Sequence, residues 1–343
     1  MGDLVGADLT SVTNQTADDD IIQCDLEDKT AYLFFMPVYT VVFVVGVVLN
    51  SLTLKVYFCS AKLQVSRIMM VYMKNLAASD FVLCLCLPFN IANYVSSSAN
   101  FRQVYCIFVD STFYLNTYAS ILFMGYIAAN RYLKIIHPLR THYLQTVQAA
   151  HIISTVTWVF LLAVVTSYII LWLLTKPELT FVPDRCHALY SSQVTVFNKI
   201  IGIFSLISFL FILICMIFFY YSASRSVLQA QQRQLAASSC KKLRRSRRKM
   251  LVLVSVFCFC FVPYHLVTLP YIFLQRQCSL SQVFYYLKDL TVLLLFLNIC
   301  LDPFIYFIFS KAFRDHLRKK ARKHSEGEQE TTKSERSFST SVM

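Results

Sequence analysis

Residues 209–219 read FLFILICMIFF, and residues 38–49 read VYTVVFVVGVVL. A helix buried in a water-soluble domain keeps a polar face, so charged or amide residues return at helical period. Neither stretch contains one. Runs of this kind suit hydrocarbon, where ~20 mainly apolar residues at helical rise cross ~30 Å. Working outward, the chain offers seven such runs, near 31–58, 68–94, 103–135, 148–174, 195–222, 247–275 and 281–309. Its composition agrees, because 57% hydrophobic residues, 15% aromatic residues and six glycines in 343 positions exceed the apolar content of a soluble domain. The expected fold class is an all-α membrane protein of seven transmembrane helices plus a short amphipathic cytoplasmic helix. Four parts follow: an extracellular segment over 1–30, the bundle over 31–310, an amphipathic juxtamembrane helix over 311–323, and a polar tail over 324–343.

Orientation comes from the basic residues, which gather on the cytoplasmic side of short loops. Positions 222–249 hold nine Lys or Arg and no acid, and the link at 134–148 carries Lys134 and Arg140 without an acid. The first 30 residues carry eight acids and Lys29 alone as a basic residue. The amino terminus therefore faces outside a plasma membrane and, after seven crossings, the tail faces inside. No leader with a cleavage site is visible, so the first span is expected to act as its own insertion signal. The net charge of +13 reads as cytoplasmic loops facing anionic lipid and partner proteins. Nucleic-acid binding would need a soluble basic domain, and none is apparent.

The twelve cysteines divide by this topology. Cys59, Cys84, Cys86, Cys215, Cys240, Cys258, Cys260 and Cys300 lie in spans or on the reducing side, where they serve as small apolar residues. Cys24, Cys106, Cys186 and Cys278 lie outside, an even set that allows two disulfides in three pairings. Asn14 opens a glycosylation sequon on the same side.

Ionisable groups inside a bilayer are costly, which makes each a candidate for function. Asp80 lies ~20 Å into its span, and Asp302 ~14 Å above the inner boundary at helical rise. Asn116 and Ser120 stand one turn apart, and Asn298 one turn before Asp302, so these five can converge. Their oxygens suit a small hard cation such as sodium; the alternative is a hydrogen-bonded cluster that joins helices. Pro88, Pro263, Pro270 and Pro303 interrupt spans and permit kinks, with CFVP at 260–263 and DPFIY at 302–306 placing aromatics beside the break.

NLAASD ending at Asp80, Trp158, NRY at 130–132, CFVP and LDPFIY, in this order on seven spans with Cys106 at the top of the third, resemble the signature set of rhodopsin-like G-protein-coupled receptors. The resemblance covers about residues 30–320 and implies that Asn130, Arg131 and Tyr132 form the inner G-protein-coupling end. It also implies a switch through Phe257, Phe261, Pro263, Asp302, Pro303 and Tyr306. Four departures bear on that switch. Asn130 replaces the usual aspartate, and LRRSRRK at 243–249 lacks the acid many relatives place there. Phe261 stands where a tryptophan is common, and the fifth span has no proline.

FVPYHLVTLPY, then Cys278, Lys288 and LNICLDPFIYF, is similar to the purinergic nucleotide receptors and, over FVP-H-V-LP and LDP-IY, to the platelet-activating-factor receptor. That resemblance implies disulfides Cys106–Cys186 and Cys24–Cys278, and a ligand site of Tyr114, His265, Thr268, Tyr271 and Lys288. His265 and Lys288 fall ~24 and ~32 Å from the inner ends of their helices, at pocket depth. Thr268 replaces the group's phosphate-binding arginine, leaving Lys288 as the main cation for an extracellular anionic ligand, nucleotide-like or a lipid or carboxylate; otherwise Lys288 snorkels to outer headgroups. The expected partners are that ligand, a heterotrimeric G protein of the inhibitory type, arrestin after phosphorylation of the tail, and membrane lipids. No Walker loop, zinc spacing or G-x-S-x-G appears, so no enzyme chemistry is expected. A carrier using Asp80 and Asp302 would show internal repeats, and none is evident.

Overall fold

A computed structural model of the chain describes residues 29–59, 67–96, 98–136, 145–175, 186–232, 237–274 and 278–309. Asn14, Cys24, the amphipathic helix over 311–323 and the tail over 324–343 lie outside these residues, as do the side chains of Tyr271 and Cys278. In chain order the elements are α1 (Lys29–Cys59), α2 (Arg67–Val95), α3 (Ala99–Val104), a π turn (Tyr105–Val109), α4 (Asp110–Ile136), α5 (Val147–Leu174), a 3-10 turn (Cys186–Leu189), α6 (Ser192–Gln232), α7 (Ala237–Leu274) and α8 (Cys278–Phe309). The backbone stays in the right-handed helical region from Val104 through Asp110, so α3, the π turn and α4 form one rod, the third of seven.

Six of these helices are long and apolar enough to cross a membrane: α1, α2, α5, α6, α7 and α8. α4 is more polar because it is central. It packs against α2, α5, α6 and α7. Its buried face includes Ser111, Asn116, Thr117, Ser120 and Asn130 beside Phe123, Met124 and Ile127. Around it the other helices close a ring through α1–α2, α6–α7, α7–α8 and α1–α8 contacts. On the outside, apolar side chains such as Val159, Phe160, Phe211 and Ile214 stand exposed, a band that hydrocarbon would cover.

Two polar clasps fix the packing, since hydrogen bonds and close backbone approach, rather than burial from water, join helices in lipid. Trp158 Nε1 of α5 donates to Asn75 Oδ1 of α2 at 2.9 Å. Asn50 Nδ2 of α1 donates both to Gly46 O and to Ile299 O of α8, each at 3.0 Å. Gly46 permits that approach, because a Cβ there would lie 2.8 Å from Cys84 Sγ and 3.2 Å from Ile299 Cγ2.

One expectation differs from the structure. α6 and α7 run on beyond the apolar runs, to Gln232 and back to Ala237, because Ala, Gln, Arg and Lys favour helix without needing lipid. The prolines lie inside spans as expected, Pro88 in α2, Pro263 and Pro270 in α7 and Pro303 in α8, and Pro37, which the reading of the runs passed over, lies inside α1. Membrane helices tolerate this where neighbouring groups satisfy the freed carbonyl.

Candidate functional site

The outer end is organised by one covalent bond. Cys106 in the π turn is joined to Cys186, which opens the 3-10 turn. Four residues further on each side, Tyr190 OH donates to Asp110 Oδ2 at 3.4 Å. Burial, and then the Asp110 charge, hold the Tyr190 phenol far above its ordinary range, so it stays a donor. Tyr168 of α5 meets the Tyr190 ring edge-on at 6.3 Å. Asp110 also lies within direct electrostatic range of the Lys288 ammonium on α8.

Tyr114 lies one turn below Asp110, beside Tyr118, Tyr190 and Tyr264. It nevertheless keeps 37% exposure. Opposite, on α7, His265 is only 6% exposed and stacks flat on Phe209 of α6 at 3.8 Å. Its Nδ1 meets Phe261 O at 2.9 Å, while Nε2 is buried without a hydrogen bond. Thr268 Oγ1, three residues on, lies within hydrogen-bonding reach of the Tyr264 hydroxyl but makes no bond of good geometry. A buried polar atom such as His265 Nε2 is seldom left unbonded, and it suits a polar guest or ordered water. The outer end thus gathers Tyr114, Tyr190 and Tyr264 about the Asp110 carboxylate, with the Lys288 ammonium in electrostatic range and His265 Nε2 buried and unbonded.

Below it the five mid-membrane residues come together. Asn116 Nδ2 donates to Ser79 Oγ at 2.9 Å and to Asp80 Oδ1 at 3.1 Å. Tyr306 OH donates to Asp80 Oδ2 at 3.5 Å, and Asn298 Nδ2 to Asp302 Oδ2 at 3.0 Å. Ser120 and Asp302 adjoin the Asp80 carboxylate. Asn298 Oδ1 and Asp302 Oδ1 are buried without hydrogen bonds, and Ser120 Oγ makes none of good geometry. Two adjacent carboxylates in a dry interior repel unless a proton or a cation lies between them. The donor set, hard oxygens with spare lone pairs, fits a small hard cation.

Between the two levels, Phe257 and Phe261 are fully buried with ring centres 5.1 Å apart, and Phe209 stacks on Phe257 at 5.8 Å. His265, Phe209, Phe257 and Phe261 therefore form one aromatic column linking α6 and α7.

The family described as "7 transmembrane receptor (rhodopsin family)" matches residues 49–306, three quarters of the chain, including Asp80, Trp158, NRY, CFVP and LDPFIY. The chain belongs to the rhodopsin family of seven-transmembrane receptors. This receptor is 31% identical over 287 residues to purinoceptor 14 of Bos taurus, covering 82% of this chain and 83% of the relative. It is 30% identical over 313 residues to lysophosphatidic acid receptor 6 of Gallus gallus, covering 88% and 97%. Purinoceptor 13 of Homo sapiens is 29% identical over 300 residues, covering 86% and 83%. The receptor is a multi-pass membrane protein, not an enzyme, and it resembles purinergic and lysophosphatidic acid receptors to a similar degree.

At the receptor's inner end Arg131 Nη2 donates to Met69 Sδ of α2 at 2.7 Å. Lys134 lies within electrostatic range of Arg131, and Tyr132 stacks on Phe219 of α6 at 4.7 Å. Asn130 is 4% exposed with Oδ1 buried and unbonded. Sequence reasoning missed Asn50, Ser79, Asp110, Tyr190, Tyr264 and Met69. Asn50 and Asp110 carried a usable signal, because each is a polar residue inside an apolar run, the same rule that singles out Asp80.

Proposed function

We propose that this receptor binds a small extracellular anionic, nucleotide-like ligand at the outer cavity and drives nucleotide exchange on a heterotrimeric G protein of the inhibitory type at Arg131. The observation that carries the ligand reading is the Lys288 ammonium at the outer end, within electrostatic range of Asp110, together with the neighbouring cluster of Tyr114, Tyr190 and Tyr264 and the buried, unbonded His265 Nε2. Relatives named for purines and for lysophosphatidic acid support an anion. The scarcity of cations favours a second reading, a lipid mediator or carboxylate with a single anionic group, since polyphosphates prefer several guanidinium contacts.

The amino terminus faces outside in this reading, supported by exposed Lys241, Arg244, Arg245 and Arg248 at the start of α7. Sodium at Asp80, Asn116, Ser120, Asn298 and Asp302 is an allosteric ligand of the resting state, arrestin engages the phosphorylated tail, and membrane lipids contact the basic inner face. The test is agonist-dependent GTPγS binding in membranes with added G protein, screened over nucleotides, nucleotide sugars, lysophospholipids and carboxylates. A charge-assisted hydrogen bond contributes ~1.5–3 kcal/mol, so Lys288→Ala should cost the agonist about tenfold to a hundredfold in potency. An agonist that ignores the substitution removes Lys288 as anchor.

A further inference from the structure

Three acceptors stand in a row along one face of α2. Met69, Met73 and Asp80 are spaced by four and then seven residues, which at helical period aligns them from the inner end to mid-membrane. Each receives a donor from a different helix: Arg131 Nη2 of α4 on Met69 Sδ at 2.7 Å, Tyr57 OH of α1 on Met73 Sδ at 3.1 Å, and Tyr306 OH of α8 on Asp80 Oδ2 at 3.5 Å. Tyr57 and Tyr306 also meet edge-on, with ring centres 5.8 Å apart. Both methionines are buried, and they share one core cluster with Ile127 and Ala128 of α4. α2 is thus the frame on which the inner-end groups rest, and the seat it gives the arginine is a sulfur. A sulfur seat differs from a carboxylate in what remains when the guanidinium leaves. The thioether is a weak acceptor that packs equally well as an apolar side chain. A carboxylate left in a dry interior would stand as an uncompensated charge, which makes an ion-pair restraint deep. Neither NRY at 130–132 nor LRRSRRK at 243–249 supplies such an acid.

We propose that Met69 is a positioning residue for Arg131: its sulfur holds the guanidinium toward α2 in the resting receptor and releases it, with no charge left behind, when the G protein binds. The inference rests on the coupling role given to Arg131 above and adds the group that restrains it. Because the seat is weak, the resting and coupling-competent conformations lie close in free energy, and the ligand-free receptor samples both. Acceptor strength at position 69 therefore sets the ligand-free exchange rate in either direction.

The test uses the full-length receptor in nanodiscs with added heterotrimeric G protein and no ligand. GTPγS binding is compared for wild type, Met69→Leu, Met69→Gln and Met70→Leu. Leucine keeps the volume and removes the acceptor, so the rate should rise about two- to tenfold, the change that loss of one net hydrogen bond gives. Glutamine offers an amide oxygen at similar reach and should return the rate to the wild-type level or below it. Met70 faces another side of α2, so Met70→Leu should leave the rate unchanged. An equal rise in Met70→Leu marks general loosening of this end and overturns the proposal. A second measurement depends neither on exchange nor on the glutamine variant folding. In receptor with isotope-labelled methionine methyl groups, the Met69 resonance, assigned by its loss in Met69→Leu, should shift in Arg131→Leu and on adding G protein to wild type. A resonance indifferent to Arg131→Leu overturns the seat and leaves the coupling role of Arg131 standing. A responsive resonance with exchange indifferent to Met69→Leu makes the contact merely structural and overturns the positioning role alone. If the resonance responds and no variant, with or without any probe of the ligand screen, drives exchange, the coupling role falls and the proposal falls with it.

Discussion

Gly46→Ala should be among the most damaging one-methyl changes in the receptor. The added Cβ would meet Cys84 Sγ at 2.8 Å and Ile299 Cγ2 at 3.2 Å. Ordinary heavy-atom contacts lie near ~3.5–4.0 Å, so α1 must withdraw or Cys84 must move. Overpacking of this kind costs ~1–3 kcal/mol. Withdrawal also pulls Asn50 Nδ2 from Ile299 O, now 3.0 Å away, a buried bond worth ~1 kcal/mol net. The sum is ~2–4 kcal/mol. The assay is thermal unfolding of the purified receptor for wild type, Gly46→Ala, Cys84→Ala and the double variant. Removing Sγ opens the space the new methyl needs, so the double variant should be more stable than additivity gives by ~1 kcal/mol or more, with Ile299 setting the remainder. The reasoning fails if Gly46→Ala unfolds with wild type, or if the two losses simply add.

Two further substitutions test the middle and the inner end. Asp80→Asn keeps an oxygen for Asn116 but removes a charge, so replacing potassium by sodium should stabilise wild type by ~1.4 kcal/mol at ten times the dissociation constant and leave the variant unmoved; equal responses would sink the cation reading. Asn130→Asp places a carboxylate beside Arg131, which is otherwise held to the sulfur of Met69 and crowded by Lys134. Ligand-free GTPγS binding should fall several-fold at equal surface expression, and an unchanged rate would show that ion pairing does not set the resting equilibrium.

The fold was legible because hydrocarbon imposes a simple rule on composition. FLFILICMIFF cannot be a soluble helix, and the apolar runs place all seven rods within a few residues at most ends. The rule weakens where lipid stops dictating. The third rod is polar because it is surrounded by protein, and α6 and α7 continue past the apolar runs because a helix in water needs only suitable propensity. The mid-membrane cluster was legible for a related reason: carboxylates that deep need partners, and one-turn spacing on each helix brings those partners to one face.

What sequence withholds is which partner each costly group finds, because that depends on rotation about helix axes. Asp110 belongs to an apolar run as plainly as Asp80 does, yet counted from Cys106 at 3.6 residues per turn it would point elsewhere. The π turn, which no residue in YCIFV announces, changes the phase of α4 and delivers the carboxylate to Tyr190 and Lys288. Arg131 is a similar case. Its missing acid is visible in NRY, but a thioether one helix away as its acceptor is not. Both cations therefore read from sequence as groups awaiting an anion, and in the folded receptor one faces an internal carboxylate while the other rests on sulfur.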